Sequence, residues 1–211
     1  MLDTKNFEKT LYQDTKKAFK NIIQKYGNDL YVMGFYHTVS YSLLPMFNTL
    51  SDLKKVFEAE YNNDVSSFYM AKWNPEDYPM LEDYSEYFDE TTLECQKLED
   101  SIDLFQSDIE AMDNWHQWLT TMEKVLIQLD AEGIFSNGIE REKITLAILA
   151  YDEEESIQFK RIKRLNPPTV LAQIQADFEA MVSEREKCEQ EALNAFNQKV
   201  QHYYIYAIHK V

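Results

Sequence analysis

At 211 residues and 25.0 kDa, the chain has room for one domain with a helical appendage. Its 45% hydrophobic and 27% charged residues exclude a disordered chain, and four Gly with five Pro are too few for the turns of an all-β fold. No run reaches the roughly 18 apolar residues of a membrane span, and a formal charge of −16 repels phosphates and anionic lipid, so neither nucleic acid nor a membrane is an expected partner.

The first residues, MLDTKNFEKTLYQD, carry no apolar signal region, so neither secretion nor a cleaved leader is expected. Cys95 and Cys188 are two and far apart, which suits reduced thiols and a cytoplasmic location better than a disulfide framework. Phe7, Leu11, Ala18, Phe19, Ile22, Ile23 and Tyr26 recur at steps of three and four, predicting an amphipathic helix over 4–26 with Lys on its outer face. Asp3 or Thr4 caps its start and Gly27 closes it. Residues 30–39, LYVMGFYHTV, are apolar on both faces and read as a central strand. Residues 43–47 pair beside it, with Pro45 favouring an edge position. A short helix over 49–61 follows, its buried stripe formed by Leu50, Leu53, Val56 and Phe57, and residues 67–73 read as a further strand.

The charge is concentrated in what comes next. Residues 73–142 hold nineteen Asp and Glu against Lys97, Lys124 and Arg141, a net −16, while the remainder balances at eighteen of each sign. Within it, 74–94 has eight acidic residues, no basic one, and four aromatics: Tyr78, Tyr84, Tyr87 and Phe88. Residues 101–131 have the clearest helical period in the chain, through Ile102, Phe105, Ile109, Met112, His116, Leu119, Met122, Leu126 and Leu129; Asp113-Asn114 is a point of interruption and Gly133 the stop. Residues 144–151 read as a buried strand, and 152–165 as a helix with DEEE first and KRIKR last, which suits its dipole. After Asn166-Pro167-Pro168, more than forty residues without Gly or Pro predict one long helix, or two with a break near 183–186. Leu171, Ile174, Phe178, Met181, Cys188, Ala192, Ala195 and Tyr203 give it a weak seam that suits covering the sheet or forming a homodimer. The expected fold is α+β: a small mixed or antiparallel sheet packed by several helices, spanning 1–165, with a C-terminal helical segment over 166–211 packed on the same domain.

Catalytic chemistry finds little support in these residues. His37, His116, His202 and His209 are scattered, with no HExxH or CxxC spacing, so no metal site and no cofactor is expected. There is no GxSxG elbow and no glycine-rich phosphate loop. Cys95 lies among carboxylates, which raise a thiol pKa, and Cys188 reads as packing. Lys160, Arg161, Lys163 and Arg164 suit a phosphate, although a charged helix end explains them with less. His116 sits on an apolar stripe between Trp115 and Trp118, a core histidine by the simpler account and a base in a pocket by the other. The aromatic and acidic stretch is the most unusual feature. Tyr and Trp supply stiff contact area at interfaces, and carboxylates among them suit a basic protein. Trp73, Tyr78, Glu82, Asp83, Tyr84, Glu86, Tyr87 and Asp89 are the candidate partner-binding residues.

Four short motifs occur in order: Asn48-Thr49, Lys72-Trp73-Asn74-Pro75, Asp130-Ala131-Glu132-Gly133-Ile134-Phe135 and Leu165-Asn166-Pro167. Together, over about residues 5–180, they resemble a bacterial family described only as a domain of unknown function, with Trp-x-Pro, Gly-x-Phe and Leu-Asn-Pro. The sequence departs from that pattern at Tyr78, where a second Trp is expected. The resemblance carries no activity and no catalytic residues. By analogy of class, small acidic α+β proteins of this kind resemble immunity or antitoxin partners. The sequence therefore points to a cytosolic, non-catalytic interaction module with an acidic aromatic face; the alternative is a small hydrolase or ligand-binding domain with a pocket near Trp73, Trp115, His116 and Trp118.

Overall fold

A strand that is apolar on both faces needs cover on both, and residues 30–37 set that requirement. The computed structural model describes residues 3–37, 41–102, 107–151 and 153–208, the last eleven of these as backbone. In it, β1 (Leu30–His37) is the middle of a three-stranded sheet. β2 (Leu44–Thr49) pairs with it antiparallel and β3 (Thr145–Ala150) pairs parallel. Every residue of β1 and of β3 is buried. Pro45 lies in β2 opposite Phe35, on the edge strand that tolerates it. Val39, expected at the end of the central strand, lies outside the described residues.

Side chains alternate between two helical layers. Met33, Phe35, Phe47, Leu146 and Ile148 face one core, built with α1 (Lys5–Tyr26), α4 (Asp89–Asp100) and α5 (Asp108–Ala131). Val32, Tyr36, Met46, Ala147 and Leu149 face the other, built with α2 (Leu50–Glu60), α3 (Phe68–Trp73), α6 (Glu155–Leu165) and the first turns of α7 (Pro168–Ile208). The class is α+β, helix-rich, with a mixed sheet. In α1 the expected stripe is buried except for half-buried Tyr26, and Gly27 ends the helix at φ 51 with its N–H on the Ile23 carbonyl. Thr49 caps α2 by accepting from the Asp52 N–H at 3.0 Å. Leu53 is its buried residue, whereas Leu50 is exposed.

Two expectations need correction, and one open choice is decided. Residues 67–73 form helix, not strand. Asp64 accepts from the Ser66 N–H at 3.0 Å and opens a 3-10 turn, Val65–Ser67, that runs straight into α3. A short apolar run carries too few periods to separate helix from strand, so this local start signal decides. The helix expected over 101–131 begins later, because Ser107 and Glu110 form a reciprocal capping box that starts α5, and Asp113-Asn114 lie within it uninterrupted. Ile109 and Met112 consequently face solvent, and the buried stripe begins at Trp118. Phe105 lies outside the described residues. Finally, α7 is one continuous helix with no break near 183–186. Val170, Ile174 and Phe178 are buried, Arg185 is tethered to Glu155 at 2.7 Å, and residues 186–197, including Cys188, Ala192 and Ala195, are exposed. His209 lies outside the described residues.

Two local devices hold the sheet. Gly34 lies opposite Ala147 across the parallel pair, where a Cβ would stand 1.7 Å from the Ala147 carbonyl oxygen. At β3, Asn166 acts as an extra strand residue. Its Oδ1 accepts from the Leu146 N–H at 2.8 Å, and its Nδ2 donates to the carbonyls of Leu146 (2.7 Å) and Ile162 (2.9 Å). Arg141 braces the same corner, donating to Asp130 (2.8 Å) and to the carbonyls of Ile144 (2.8 Å) and Leu165 (3.0 Å). Replacing Gly34 by Ala is expected to destabilise the fold by about 3 kcal/mol or more, the upper end of overpacking costs, measured by urea denaturation. Asn166→Leu is expected to cost about 2–3 kcal/mol in the same assay, because it strands buried backbone groups of Leu146.

Candidate functional site

Parallel strands leave a crevice beyond their carboxyl ends, where the two chains turn apart. In this fold a groove of about 230 Å³ opens there, beside Tyr36 at the end of β1 and Leu149-Ala150-Tyr151 at the end of β3. Met70 and Trp73 of α3, Asn74-Pro75-Glu76, Gln158 of α6 and Met181 of α7 complete its walls. Trp73 is held from several sides. Its indole N–H donates to Asp177 at 2.9 Å, Lys72 pairs with the same carboxylate at 2.7 Å, and the Lys72 carbonyl accepts from Tyr31 (2.9 Å) and Tyr78 (2.7 Å). Pro75 then starts a 3-10 turn, Pro75–Asp77, that sets Glu76 at the rim. The Tyr36 hydroxyl donates to Glu76 Oε1 at 3.3 Å. Burial, helped by the Glu76 carboxylate, pushes the Tyr36 phenol up to about 12, so it stays a donor. Glu155 at the opposite rim is neutralised by Arg185, while Glu76 enters no ion pair among the described residues.

The acidic aromatic stretch leaves this groove and passes to the other core. Trp73 and Tyr78 are each only 3% exposed, so these two of the eight expected interface residues are core. They pack edge-on against Tyr31 with ring centroids 6.4 Å away. Tyr84 and Tyr87 are half-buried against α1, whose Lys25 and Lys17 ammonium groups stand 5.9 and 4.9 Å from their rings. Asn21 donates to the Tyr87 hydroxyl at 2.9 Å, and Asp14 accepts from the Thr91 hydroxyl at 2.7 Å. The aromatics thus clasp the chain's own basic helix, with Tyr84 itself in the left-handed region at φ 69. Glu82, Asp83, Glu86 and Asp89 are exposed. Leu93 on α4 is 55% exposed among them.

The pocket expected near Trp73, Trp115, His116 and Trp118 does not form. Trp73 belongs to one core, while Trp115 and Trp118 pack in the other, across the sheet. His116 is exposed on α5. The histidine that contacts both tryptophans is His37, with centroids 4.4 Å from Trp115 and 5.1 Å from Trp118. Its Nδ1–H donates to the Ser42 carbonyl at 2.7 Å, which fixes the tautomer. Of the basic run on α6, Arg161 is buried against Glu153 and donates to the Ile148 carbonyl at 3.0 Å, and Arg164 pairs with Glu123 at 2.6 Å. Both are committed to packing, so the run is no phosphate cradle. Burial pushes the Cys95 thiol up to about 12, far from a thiolate nucleophile. Among the described residues no three His, Cys, Asp or Glu side chains converge to hold a metal ion, and no helix is long and apolar enough to cross a membrane.

Tyr36, His37 and Tyr151 carried no sequence signal of their own. Tyr36 and His37 sit in a run that reads simply as a buried strand, and Tyr151 at the end of another. Burial lowers the His37 pKa below its ordinary 6.5, with Arg161 adding to the effect and Ser42 and Glu153 opposing it. The unfolded chain therefore binds this proton first, and the contribution of neutral His37 to stability, complete above 6.5, is lost as the pH falls below it. His37→Gln is expected to flatten the dependence of the urea midpoint on pH between about pH 7 and pH 5 relative to the unmodified protein.

No curated protein and no solved structure matches the chain. A family model described as a domain of unknown function (DUF4303) matches residues 11–167, from the second turn of α1 to the residue before α7. That span contains all three strands, the groove-forming Trp73-Asn74-Pro75-Glu76 and the acidic segment, and by it the chain belongs to the DUF4303 family.

Proposed function

We propose that this domain is a cytosolic, non-catalytic interaction module that captures a basic protein through its acidic face. The observation that carries this reading is the division of labour in residues 76–100. Tyr84, Tyr87 and Phe88 anchor the segment on the core and on α1, while Glu82, Asp83, Glu86 and Asp89 are left in water. The anchoring makes the carboxylates a pre-positioned surface, which lowers the ordering cost of binding. Nineteen acidic residues against three basic ones over 73–142 supply a field that steers a cationic partner and rejects anionic ones. Exposed Leu93 on α4, within the segment, and Ile109 and Met112 on α5, which follows it, add apolar contact area. The partner class is a basic protein, such as a nuclease or another nucleic-acid-binding protein whose phosphate site the carboxylates would occupy. In this the domain is analogous to immunity and antitoxin proteins.

The test is affinity capture from the native cytosol at low and high salt, with the protein and with a variant carrying Glu82→Gln, Asp83→Asn, Glu86→Gln and Asp89→Asn. All four side chains are exposed, so the variant is expected to fold with an unchanged urea midpoint. Retention of a near-stoichiometric basic protein at low salt, its loss at high salt and its loss in the variant are the expected outcomes. Equal retention by the variant would remove the acidic face from the account.

A further inference from the structure

The groove beside Tyr36 has a composition that the acidic face alone does not explain. Its walls are largely apolar, from Met70, Trp73, Pro75, Leu149 and Met181. Met70 and Tyr151 remain 46% and 59% exposed, which is unusual for large side chains that line a preformed concavity. At about 230 Å³ it is smaller than the ~300–1,000 Å³ of small-molecule and cofactor pockets. One long side chain fills it. The charges at its rim do not balance: Glu155 is paired with Arg185 at 2.7 Å, but Glu76 has no cation among the described residues. Its carboxylate is instead oriented by the Tyr36 hydroxyl at 3.3 Å.

We infer that this groove receives one arginine side chain of the basic partner, with the guanidinium on the Glu76 carboxylate and the methylene stem along Met70 and Met181. The source of that arginine rests on the interaction reading above. Arginine fits better than lysine because the guanidinium is planar, weakly hydrated and stacks on aromatic faces, here that of the exposed Tyr151. A carboxylate already held by a phenol donor keeps its second oxygen for the guanidinium. Glu76 is also the first carboxylate of the acidic segment, so the groove and the acidic face are continuous along the chain.

The experiment uses the 211-residue chain labelled with ¹³C at its methionine methyl groups, titrated with the amide of N-acetylarginine. Met70 and Met181 report on the groove, and Met33 and Met122, buried in the opposite core, serve as internal controls. Saturable shifts confined to Met70 and Met181 are expected, with a millimolar dissociation constant for this single-residue probe. The lysine analogue is expected to bind more weakly, and the citrulline analogue, which keeps the shape without the charge, not to saturate. Glu76→Gln is expected to weaken arginine binding about tenfold, which corresponds to about 1.4 kcal/mol, and Tyr36→Phe to weaken it less. Equal shifts with the citrulline analogue, or an unchanged constant in Glu76→Gln, would overturn the inference. Salt-dependent partner capture with no arginine response at Met70 would sink the groove while leaving the acidic-face reading intact; an arginine response without any salt-dependent partner would do the reverse.

Discussion

The double burial of β1 is the constraint on which the rest of the structure depends. It presents apolar side chains to both sides, so a single helical layer would leave one face wet. The chain answers with α1, α4 and α5 on one side and α2, α3, α6 and the start of α7 on the other. β3 must approach β1 in parallel with no room for a side chain at Gly34, where the two backbones meet. Because β1 and β3 run in the same direction, their carboxyl ends open together, and the groove lies there as a geometric consequence.

The short motifs that suggested a family in the sequence are, in the structure, folding devices. Asn48 donates to the Tyr31 hydroxyl at 3.1 Å, and Thr49 caps α2. Gly133 takes the left-handed conformation at φ 76 after α5, and Phe135 just beyond it packs on Phe19 with centroids 6.0 Å apart. Asn166 completes the hydrogen bonding of Leu146 in β3. Trp73 differs from these, because it packs in a core and also lines the groove. Its indole partner, Asp177, lies on α7 beyond the span matched by the family model. The C-terminal helix is therefore tied to the groove as well as to the fold.

Electrostatics organises the surface in two tiers. Basic α1 and the acidic segment meet at the surface through Lys17 and Lys25 over the half-buried rings of Tyr87 and Tyr84, and Lys16 binds Glu132 at 2.7 Å. Lys16 and Tyr12 hold the Glu132 carboxyl down to about 2. Such exposed pairs add little stability and weaken with salt. What they do is orient the segment, so that the unpaired carboxylates face outward as a group.

The sequence by itself determined the elements whose signals are local and dense. The period of α1, the two-faced apolar run of β1, Pro45 on an edge strand and the helical character of the C-terminal segment all follow from side-chain spacing and backbone chemistry. It also located the excess of carboxylates, which needs only counting. Only the tertiary structure decided what those residues face. Residues 68–73 are too few to show a period, and a preceding cap made them helical. Trp73 and Tyr78 have the same composition whether they meet a partner or a core, and the sheet claimed them. His116 and His37 each follow an aromatic residue in sequence, yet only His37 is enclosed, because it closes a strand while His116 lies on the exposed side of α5. Tyr36, Glu76 and Tyr151 are far apart along the chain; parallel pairing of two strands brings Tyr36 and Tyr151 together, and the packing of α3 on the sheet adds Glu76.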